Sequence, residues 1–119
     1  MNTYFVYILA SKPYGTLYIG VTNNIIGRVD QHRAGTGSRF TAKYKVHVLV
    51  WYQPFAEIDE AIQREKTIKE WRRQWKINLI ETENRHWQDL YSSLPGVRPI
   101  ADDWPRGAMG PGDKPRDDT

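Results

Sequence analysis

The sequence contains no cysteine among its 119 residues, and this absence excludes several classes of site. A chain without thiols forms no disulfide, uses no cysteine nucleophile and holds no metal through thiolates. Long apolar runs are also lacking, and the N-terminal Met1–Ala10 has neither the basic flank nor the apolar length of a signal peptide. We therefore expect a cytoplasmic protein without a membrane partner.

Positive charge is in only slight excess, with a formal net charge of +3, but the charged residues are unevenly distributed along the chain. Residues 1–94 hold 13 Lys and Arg against 9 Asp and Glu, a net of +4, whereas residues 95–119 hold 4 against 5. A basic domain fits a polyanionic partner such as a nucleic acid. Charge alone is weak evidence, because many basic proteins bind no nucleic acid.

Composition divides the chain into one domain and a tail. The length of residues 1–94 fits a single compact domain, and a monomer is the simplest expectation. From Pro95 onward the chain holds five of its seven prolines and four of its nine glycines, without apolar periodicity. We expect residues 95–119 to be a disordered or loosely docked tail.

Local patterns predict three strands and three helices. Aromatic and β-branched residues predict strands over 3–10, 17–22 and 46–52; the first two form an antiparallel hairpin, and Pro54 is expected to end the third. Apolar residues at helical spacing predict helices over 25–34, 57–70 and 73–83. This order, β-β-α-β-α-α, predicts an α/β (α+β) fold with a three-stranded mixed or antiparallel sheet flanked by helices. We expect the aromatic rings of Trp71, Trp75 and Trp87 to lie in the core.

Three patterns contain residues suited to chemistry. Tyr7 and Tyr18 lie on the two hairpin strands and share a face only in the right register, although strand aromatics are usually structural. Arg28 and His32 are four residues apart on one helix face, where an arginine can clamp a phosphate and a histidine can move a proton. A solvated helix face is the simpler interpretation of that pair.

Glu65 is the sharpest of these clues, because it falls on the apolar stripe of its helix. It follows Ile58 by seven residues and precedes Ile68 by three. A carboxylate is costly there unless it is paired or binds a metal ion. There are two alternatives to a metal or catalytic role: a local salt bridge to Arg64 or Lys69, or a turn of the stripe that leaves Glu65 at its rim.

Basic residues cluster at two places, around residues 33–45 and around residues 64–76. Most are expected to be solvated, but some could follow a phosphate backbone. The candidates for contact with nucleic acid are Lys43, Arg64, Lys69 and Arg72.

Together, in this order and spacing, the segments resemble the GIY-YIG nuclease superfamily over about residues 3–91. They are most similar to its small stand-alone bacterial members. The resemblance is carried by Tyr-Phe-Val-Tyr-Ile-Leu (4–9), Leu-Tyr-Ile-Gly-Val-Thr (17–22), Arg28 with His32, Phe-Thr-Ala-Lys-Tyr (40–44), Leu-Val-Trp-Tyr (49–52), Ala-Ile-Gln-Arg-Glu-Lys (61–66), Ile-Lys-Glu-Trp (68–71) and Trp-Gln-Asp-Leu (87–90).

The resemblance implies roles for particular residues. Tyr7 and Tyr18 match the tyrosines of the first and second motifs. Arg28, His32 and Glu65 match the family's arginine, its frequent histidine and its metal-binding glutamate. A later asparagine of the family matches Asn78 or, alternatively, Asn84. The first motif departs from the pattern by reading Val-Tyr-Ile rather than Gly-Ile-Tyr, and Asn84-Arg85 stands where Asn-Pro is expected.

The resemblance implies a metal-dependent endonuclease that hydrolyses phosphodiester bonds in DNA with Mg²⁺ or Mn²⁺. It leaves open whether the substrate is single-stranded, duplex or branched DNA, and repair, recombination and DNA uptake are all compatible processes. One alternative is a non-catalytic nucleic-acid-binding module that keeps the fold. Another is an interaction protein whose tail recruits a partner.

Overall fold

The computed structural model describes residues 3–94. The predicted order of elements is confirmed, with one additional short helix, α2, that the sequence patterns did not indicate. The elements are β1 (Tyr4–Ala10), β2 (Leu17–Thr22), α1 (Ile25–Ala34), α2 (Arg39–Tyr44), β3 (Val48–Phe55), α3 (Ile58–Glu70), α4 (Arg73–Glu83) and a single 3₁₀ turn (Tyr91–Ser93). The predicted tail, 95–119, lies outside the described residues.

The sheet is antiparallel throughout, with strand order β2-β1-β3. The central strand β1 is buried at five successive positions, Val6–Ala10. A strand that is covered on both faces is apolar at successive positions instead of alternating with polar residues. β1 is therefore the strand from which side chains reach both layers of the molecule.

The two faces of the sheet carry different helices. Val6, Ile8 and Ala10 of β1 pack in one core cluster with residues of α3 and α4. The alternate residues of β1, Tyr7 and Leu9, pack in a second cluster with Ile25 and Val29 of α1. The alternation of side chains along β1 thus places Tyr7 on the α1 side of the sheet.

Strand β3 departs from the prediction at both ends. It begins at Val48 rather than at residue 46, and it continues through Pro54 to Phe55, so the prediction that Pro54 ends the strand is wrong. Within the part of the chain that the structure describes, β3 pairs only with β1, so it is an edge strand, where a residue without an N–H is tolerated. A bulge leaves Val50 between the paired residues Leu49 and Trp51.

The expectation that all three late tryptophans are core residues is wrong for Trp75, which is 49% exposed. Trp71 and Arg72 both have extended backbone, with ψ angles of 151° and 158°, so α4 is a new helix and does not continue α3. The chain changes direction at these two residues, so the apolar stripe of α3 does not continue along α4. Trp87 is buried and Trp71 is partly buried against the core.

The hairpin loop is fastened to α4 by side chains. The Tyr14 hydroxyl donates to the Glu81 carboxylate, which also accepts from the Trp87 indole at 2.8 Å. Arg73 donates to the carbonyls of Tyr14 and Gly15, at 2.6 Å each. Within residues 3–94, no helix has the length and apolar character needed to cross a bilayer.

Candidate active site

The register of the hairpin brings the two predicted tyrosines onto one face. Leu9 pairs with Tyr18 and Tyr7 pairs with Gly20, so the tyrosines are diagonal neighbours whose ring centroids lie 6.3 Å apart. A Cβ atom at Gly20 would overlap the Tyr7 hydroxyl. The absence of a side chain at Gly20 therefore lets the Tyr7 ring lie directly against β2, and this contact determines the position of the Tyr7 hydroxyl.

His32 reaches this hydroxyl from α1. The helix begins with Asn24, whose side chain accepts from the backbone N–H of Gly27 at 3.1 Å. Its buried positions are Ile25, Val29 and His32, so the imidazole faces the sheet with only 1% of the residue exposed. Nε2 of His32 lies 3.1 Å from the Tyr7 hydroxyl, and its ring centroid lies 5.1 Å from that of Tyr18.

The short helix α2 holds the other side of the imidazole. Nδ1 of His32 lies 2.9 Å from Oγ1 of Thr41, which is fully buried. Ser38 caps α2 by accepting from the Thr41 backbone N–H at 3.0 Å, and a Cβ at Gly37 would overlap the imidazole. Sequence reasoning missed Thr41 as a site residue. The signal that could have found it is the serine cap three residues before a threonine.

The partners of Thr41 favour one tautomer of His32. Oγ1 of Thr41 lies 3.3 Å from the Ser38 carbonyl and 2.9 Å from the Ser38 hydroxyl. If the Thr41 hydroxyl donates to that carbonyl, it accepts from Ser38 Oγ–H and from His32 Nδ1–H. Nε2 then has a free lone pair, which accepts the hydrogen bond of the Tyr7 hydroxyl.

Arg28 lies half-buried on α1, one turn before His32. Its guanidinium donates to the Gly37 carbonyl at 3.0 Å and to the Gln31 side chain at 2.8 Å. Burial lowers the pKa of Arg28, but interactions with the hydroxyls of Tyr7 and Tyr18 outweigh this and leave the pKa raised. Arg28 is therefore the cation of the group formed by Tyr7, Tyr18, Arg28 and His32, which we call the tyrosine cluster.

The ionisation of this cluster is set mainly by burial. Burial, followed by the neighbouring Tyr18, raises the pKa of Tyr7 to about 12, while Arg28 opposes the shift. Burial and the charge of Arg28 lower the pKa of His32 to about 4. At neutral pH the site therefore contains a neutral imidazole and a protonated Tyr7.

Among the described residues, Glu65 is the carboxylate whose charge acts on Tyr7, where it adds a small contribution to the raised pKa. It lies on α3, and its side chain is 14% exposed. Its Oε2 accepts from Nζ of Lys69 at 2.8 Å, which is the local salt bridge that the sequence allowed. Within the described range 3–94, no three His, Cys, Asp or Glu side chains form a metal-binding group.

The two candidate asparagines lie in different surroundings. Asn78 is exposed on α4, where its Oδ1 accepts from the Gln74 amide at 2.9 Å. Asn84 is buried, donates to the carbonyls of Val50 and Gln88 at 3.0 and 2.8 Å, and accepts from the Gln88 N–H. The Asn84 side chain thus links β3 to Gln88, which follows α4, by hydrogen bonds.

The four predicted nucleic-acid contacts divide between two helical regions. Lys43 lies exposed on α2, beside the tyrosine cluster. Arg64 donates to Gln53 at 3.2 Å and lies over the rings of Trp51 and Trp71. Arg72 lies over the exposed ring of Trp75, and Lys69 binds Glu65.

A model of the GIY-YIG catalytic domain matches residues 3–78. The chain belongs to the GIY-YIG family. The GIY-YIG match includes every residue of the tyrosine cluster, as well as Glu65 and Asn78.

The chain is also similar to shorter bacterial proteins. A UPF0213 protein of Staphylococcus haemolyticus, SH2523, is 38% identical over 81 residues, which cover 68% of this chain and 98% of that protein. The UPF0213 protein SA0446 of Staphylococcus aureus is 35% identical over the same lengths. The solution NMR structure of the UPF0213 protein BH0048 of Bacillus halodurans is 28% identical and covers 69% of this chain and 86% of that one, with a TM-score of 0.45.

Proposed function

We propose that this chain is a metal-dependent endonuclease that hydrolyses phosphodiester bonds in DNA. The observation that carries the proposal is the buried contact between Tyr7 and His32 beside Tyr18, with the half-buried Arg28 near enough to act on both tyrosine hydroxyls. A phenol, an imidazole and a guanidinium in one site can supply a proton acceptor and an anion clamp together. Membership of the GIY-YIG family supports a nuclease-type activity.

Arg28 is the residue that would hold the scissile phosphate. Its planar guanidinium can donate two parallel hydrogen bonds to phosphate oxygens, and it stabilises the charge that builds up on a pentavalent phosphorus. Binding the phosphate also neutralises one cause of the low pKa of His32. The substrate itself would therefore make the imidazole more basic.

Tyr7 and His32 would move the proton of the attacking water. With pKa values of about 12 and about 4, a phenolate and an imidazolium do not form in advance. The water proton passes to the Tyr7 oxygen as the Tyr7 proton passes to Nε2 of His32, while the water oxygen attacks phosphorus and the bond from phosphorus to the 3′ oxygen breaks. The leaving 3′ oxygen then takes a proton from solvent, and His32 returns its proton to solvent. Tyr18, half-buried beside both rings, would orient the water.

The residues present fit a divalent cation held by one carboxylate. Glu65 supplies a hard oxygen ligand, and the Lys69 ammonium already occupies a cation position at 2.8 Å from it. Mg²⁺ and Mn²⁺ are commonly bound by one or two carboxylates, with substrate phosphates and water completing the coordination. A bound ion would polarise the phosphate and offset charge on the leaving 3′ oxygen. Lys69 would have to release Glu65 when the ion binds.

One observation favours the alternative of a non-catalytic nucleic-acid-binding module. The ion pair with Lys69 satisfies Glu65 without a metal ion, so the position of Glu65 on the stripe does not by itself require one. In that case the basic residues would bind DNA and no strand would be cut.

The deciding experiment is a cleavage assay with purified full-length protein on single-stranded, duplex and branched DNA, with Mg²⁺, Mn²⁺ or EDTA. We expect cleavage with either metal, no cleavage in EDTA, and a loss of at least a hundredfold (~2.7 kcal/mol) in Glu65→Gln. Glu60→Gln is the matched control, since Glu60 lies exposed on the same helix. Binding without cleavage of any substrate would favour the alternative, and full cleavage by Glu65→Gln would refute the metal site.

A further inference from the structure

Helix α2 exposes two large aromatic side chains next to the candidate site. Phe40 is 43% exposed and Tyr44 is 46% exposed. The Phe40 ring stacks on Tyr18, with centroids 6.3 Å apart and planes 30° apart, and it contacts the Tyr44 ring at 5.0 Å. We refer to Tyr18, Phe40 and Tyr44 as the aromatic row. The row runs from the tyrosine cluster outward to solvent.

The aromatic row is held in place by the same residues that hold His32. Ser38 caps the first turn of α2, and the Thr41 side chain bonds to the buried imidazole. At the other end, the backbone N–H of Lys45, in the left-handed region at φ 57°, donates to the Thr41 carbonyl. A six-residue helix is not stable alone, so these contacts are what fix the exposed rings relative to the site.

The surroundings of the row are positively charged. Arg39, Lys43 and Lys45 are all exposed on or directly after α2, and Nζ of Lys43 lies 5.3 Å from the centre of the Tyr44 ring. The chain has no Asp or Glu between Gln31 and Ala56. An apolar face meant for a protein partner has no need of such a charge pattern, whereas a nucleic-acid strand requires both flat rings and cations.

We propose that the aromatic row is a stacking platform for unpaired bases, and that the preferred substrate is single-stranded DNA. This proposal rests on the proposed function, because the row is continuous with the Tyr18 side of that site. Bases next to the scissile phosphate stack on Phe40 and Tyr44, while Arg39 and Lys43 follow the backbone. Bases inside a duplex are already stacked on their neighbours and must be unpaired before they can reach the rings.

Stacking sets the expected size of the effect. Each base that stacks on an aromatic side chain contributes about 1–3 kcal/mol, which is roughly fivefold to 150-fold in affinity. Because every base has a flat face, the platform gives a preference for unpaired strands without a strong sequence preference.

The test measures binding without metal, so that it does not depend on catalysis. Full-length protein in EDTA is titrated into a fluorescently labelled oligothymidylate of about 12 nucleotides and into the matching duplex, with anisotropy as the readout. We expect single strands to bind at least tenfold more tightly than duplex. In Phe40→Ala/Tyr44→Ala the single-strand affinity should fall by at least tenfold, and in Phe40→Trp/Tyr44→Phe it should be kept.

A direct signal of stacking and a matched control complete the design. A 2-aminopurine base in the strand should be quenched by the unsubstituted protein and not by Phe40→Ala/Tyr44→Ala. Trp75→Ala removes a similarly exposed aromatic ring from α4 and should leave the preference for single strands over duplex unchanged. Circular dichroism confirms that each variant is folded.

The outcomes separate this proposal from the proposed function. Equal binding of single strands and duplex, unchanged binding by Phe40→Ala/Tyr44→Ala, or no DNA binding overturns the stacking platform. Metal-dependent cleavage of duplex alone would do the same while leaving the nuclease proposal intact. Stacking of single strands without cleavage in any metal would support the platform and refute hydrolysis.

Discussion

The Tyr7 hydroxyl lies 3.1 Å from Nε2 of His32, although the two residues are 25 positions apart in the chain. Both are almost completely buried, so this contact joins β1 to α1 through polar atoms inside the protein. Buried polar atoms are costly unless each has a partner, and here Thr41 and Ser38 continue the chain of hydrogen bonds.

Thr41 is expected to position His32. In Thr41→Val, Nδ1–H of His32 loses its acceptor, which should destabilise the protein by about 1–3 kcal/mol and reduce cleavage. Thr41→Ser keeps the hydroxyl and should keep the activity. Nitrogen-15 NMR of the histidines should show the Nδ1–H tautomer for His32 in the unsubstituted protein and in Thr41→Ser. The matched control is Thr67→Val, whose hydroxyl bonds only within α3. Observation of the Nε2–H tautomer would contradict the assignment.

Stability should fall on mild acidification because of His32. Its pKa is about 4 in the folded protein, against about 6.5 for an unperturbed histidine. Below pH 6.5 the unfolded chain takes up a proton that the folded chain does not, so the free energy of unfolding decreases between about pH 6.5 and pH 4. The groups that face the imidazole are Tyr7, Tyr18, Thr41 and Arg28, and none of them is a carboxylate.

Urea denaturation at pH 7, 6, 5 and 4 measures this effect. The partly buried His47 also has a lowered pKa, because of burial and Arg33, and should add to the slope. His32→Gln should therefore flatten the dependence in part. The exposed His86 offers the control, since His86→Gln should leave the slope as it is. A stability that rises as the pH falls from 6.5 would contradict the burial of a neutral imidazole.

Gly20 should not tolerate a side chain while Tyr7 is present. The added Cβ of Gly20→Ala overlaps the Tyr7 hydroxyl and ring edge, so the ring must move and its bond to His32 must lengthen. We expect a loss of about 1–3 kcal/mol in stability, the usual cost of overpacking, and a loss of cleavage. A double-mutant cycle with Tyr7→Ala measures how much of the loss is due to this overlap. In the Tyr7→Ala background, Gly20→Ala should lower stability only slightly. An equal loss of stability in that background would show that the substitution acts through the backbone and not through the Tyr7 ring.

The two asparagines should respond differently to substitution. Asn84→Ala removes the side-chain partner of the buried Val50 carbonyl and of the part-buried carbonyl and N–H of Gln88, and should lower stability by about 1–3 kcal/mol. Asn78→Ala removes an exposed contact to Gln74 and should change stability by less than about 0.5 kcal/mol. Thermal unfolding and cleavage rates measured together assign the roles. Reduced cleavage with unchanged stability in Asn78→Ala would support its predicted place in the site.

Much of the fold is predictable because its patterns are local. The bounds of β2, α1 and α4 agree with the sequence, since a turn, an asparagine cap and an apolar period mark them. Helix α2 is too short to show an apolar period, and the sequence patterns therefore did not indicate it. The sequence signal that marks its start is the Ser38 cap. The exposure of Trp75 depends on two extended residues between α3 and α4, which a spacing pattern does not reveal.

The site is less predictable than the fold because it depends on register and packing. Residue types and spacing indicate Tyr7, Tyr18 and Arg28, but alternation alone allows the tyrosines to lie on opposite faces. The pairing of Tyr7 with Gly20 resolves this only in three dimensions. The sequence likewise leaves open whether Glu65 forms a salt bridge, because the contact with Lys69 depends on the geometry of the two side chains.

The central position of β1 has a consequence for when the protein becomes active. The tyrosine cluster and Thr41 come from the first 41 residues, whereas Glu65 belongs to a helix on the opposite layer, added later during synthesis. A growing chain that has formed only the hairpin and α1 has an anion clamp but no metal ligand. On the proposed function, the nascent protein is harmless to DNA, and cutting begins only when both layers have closed on the sheet.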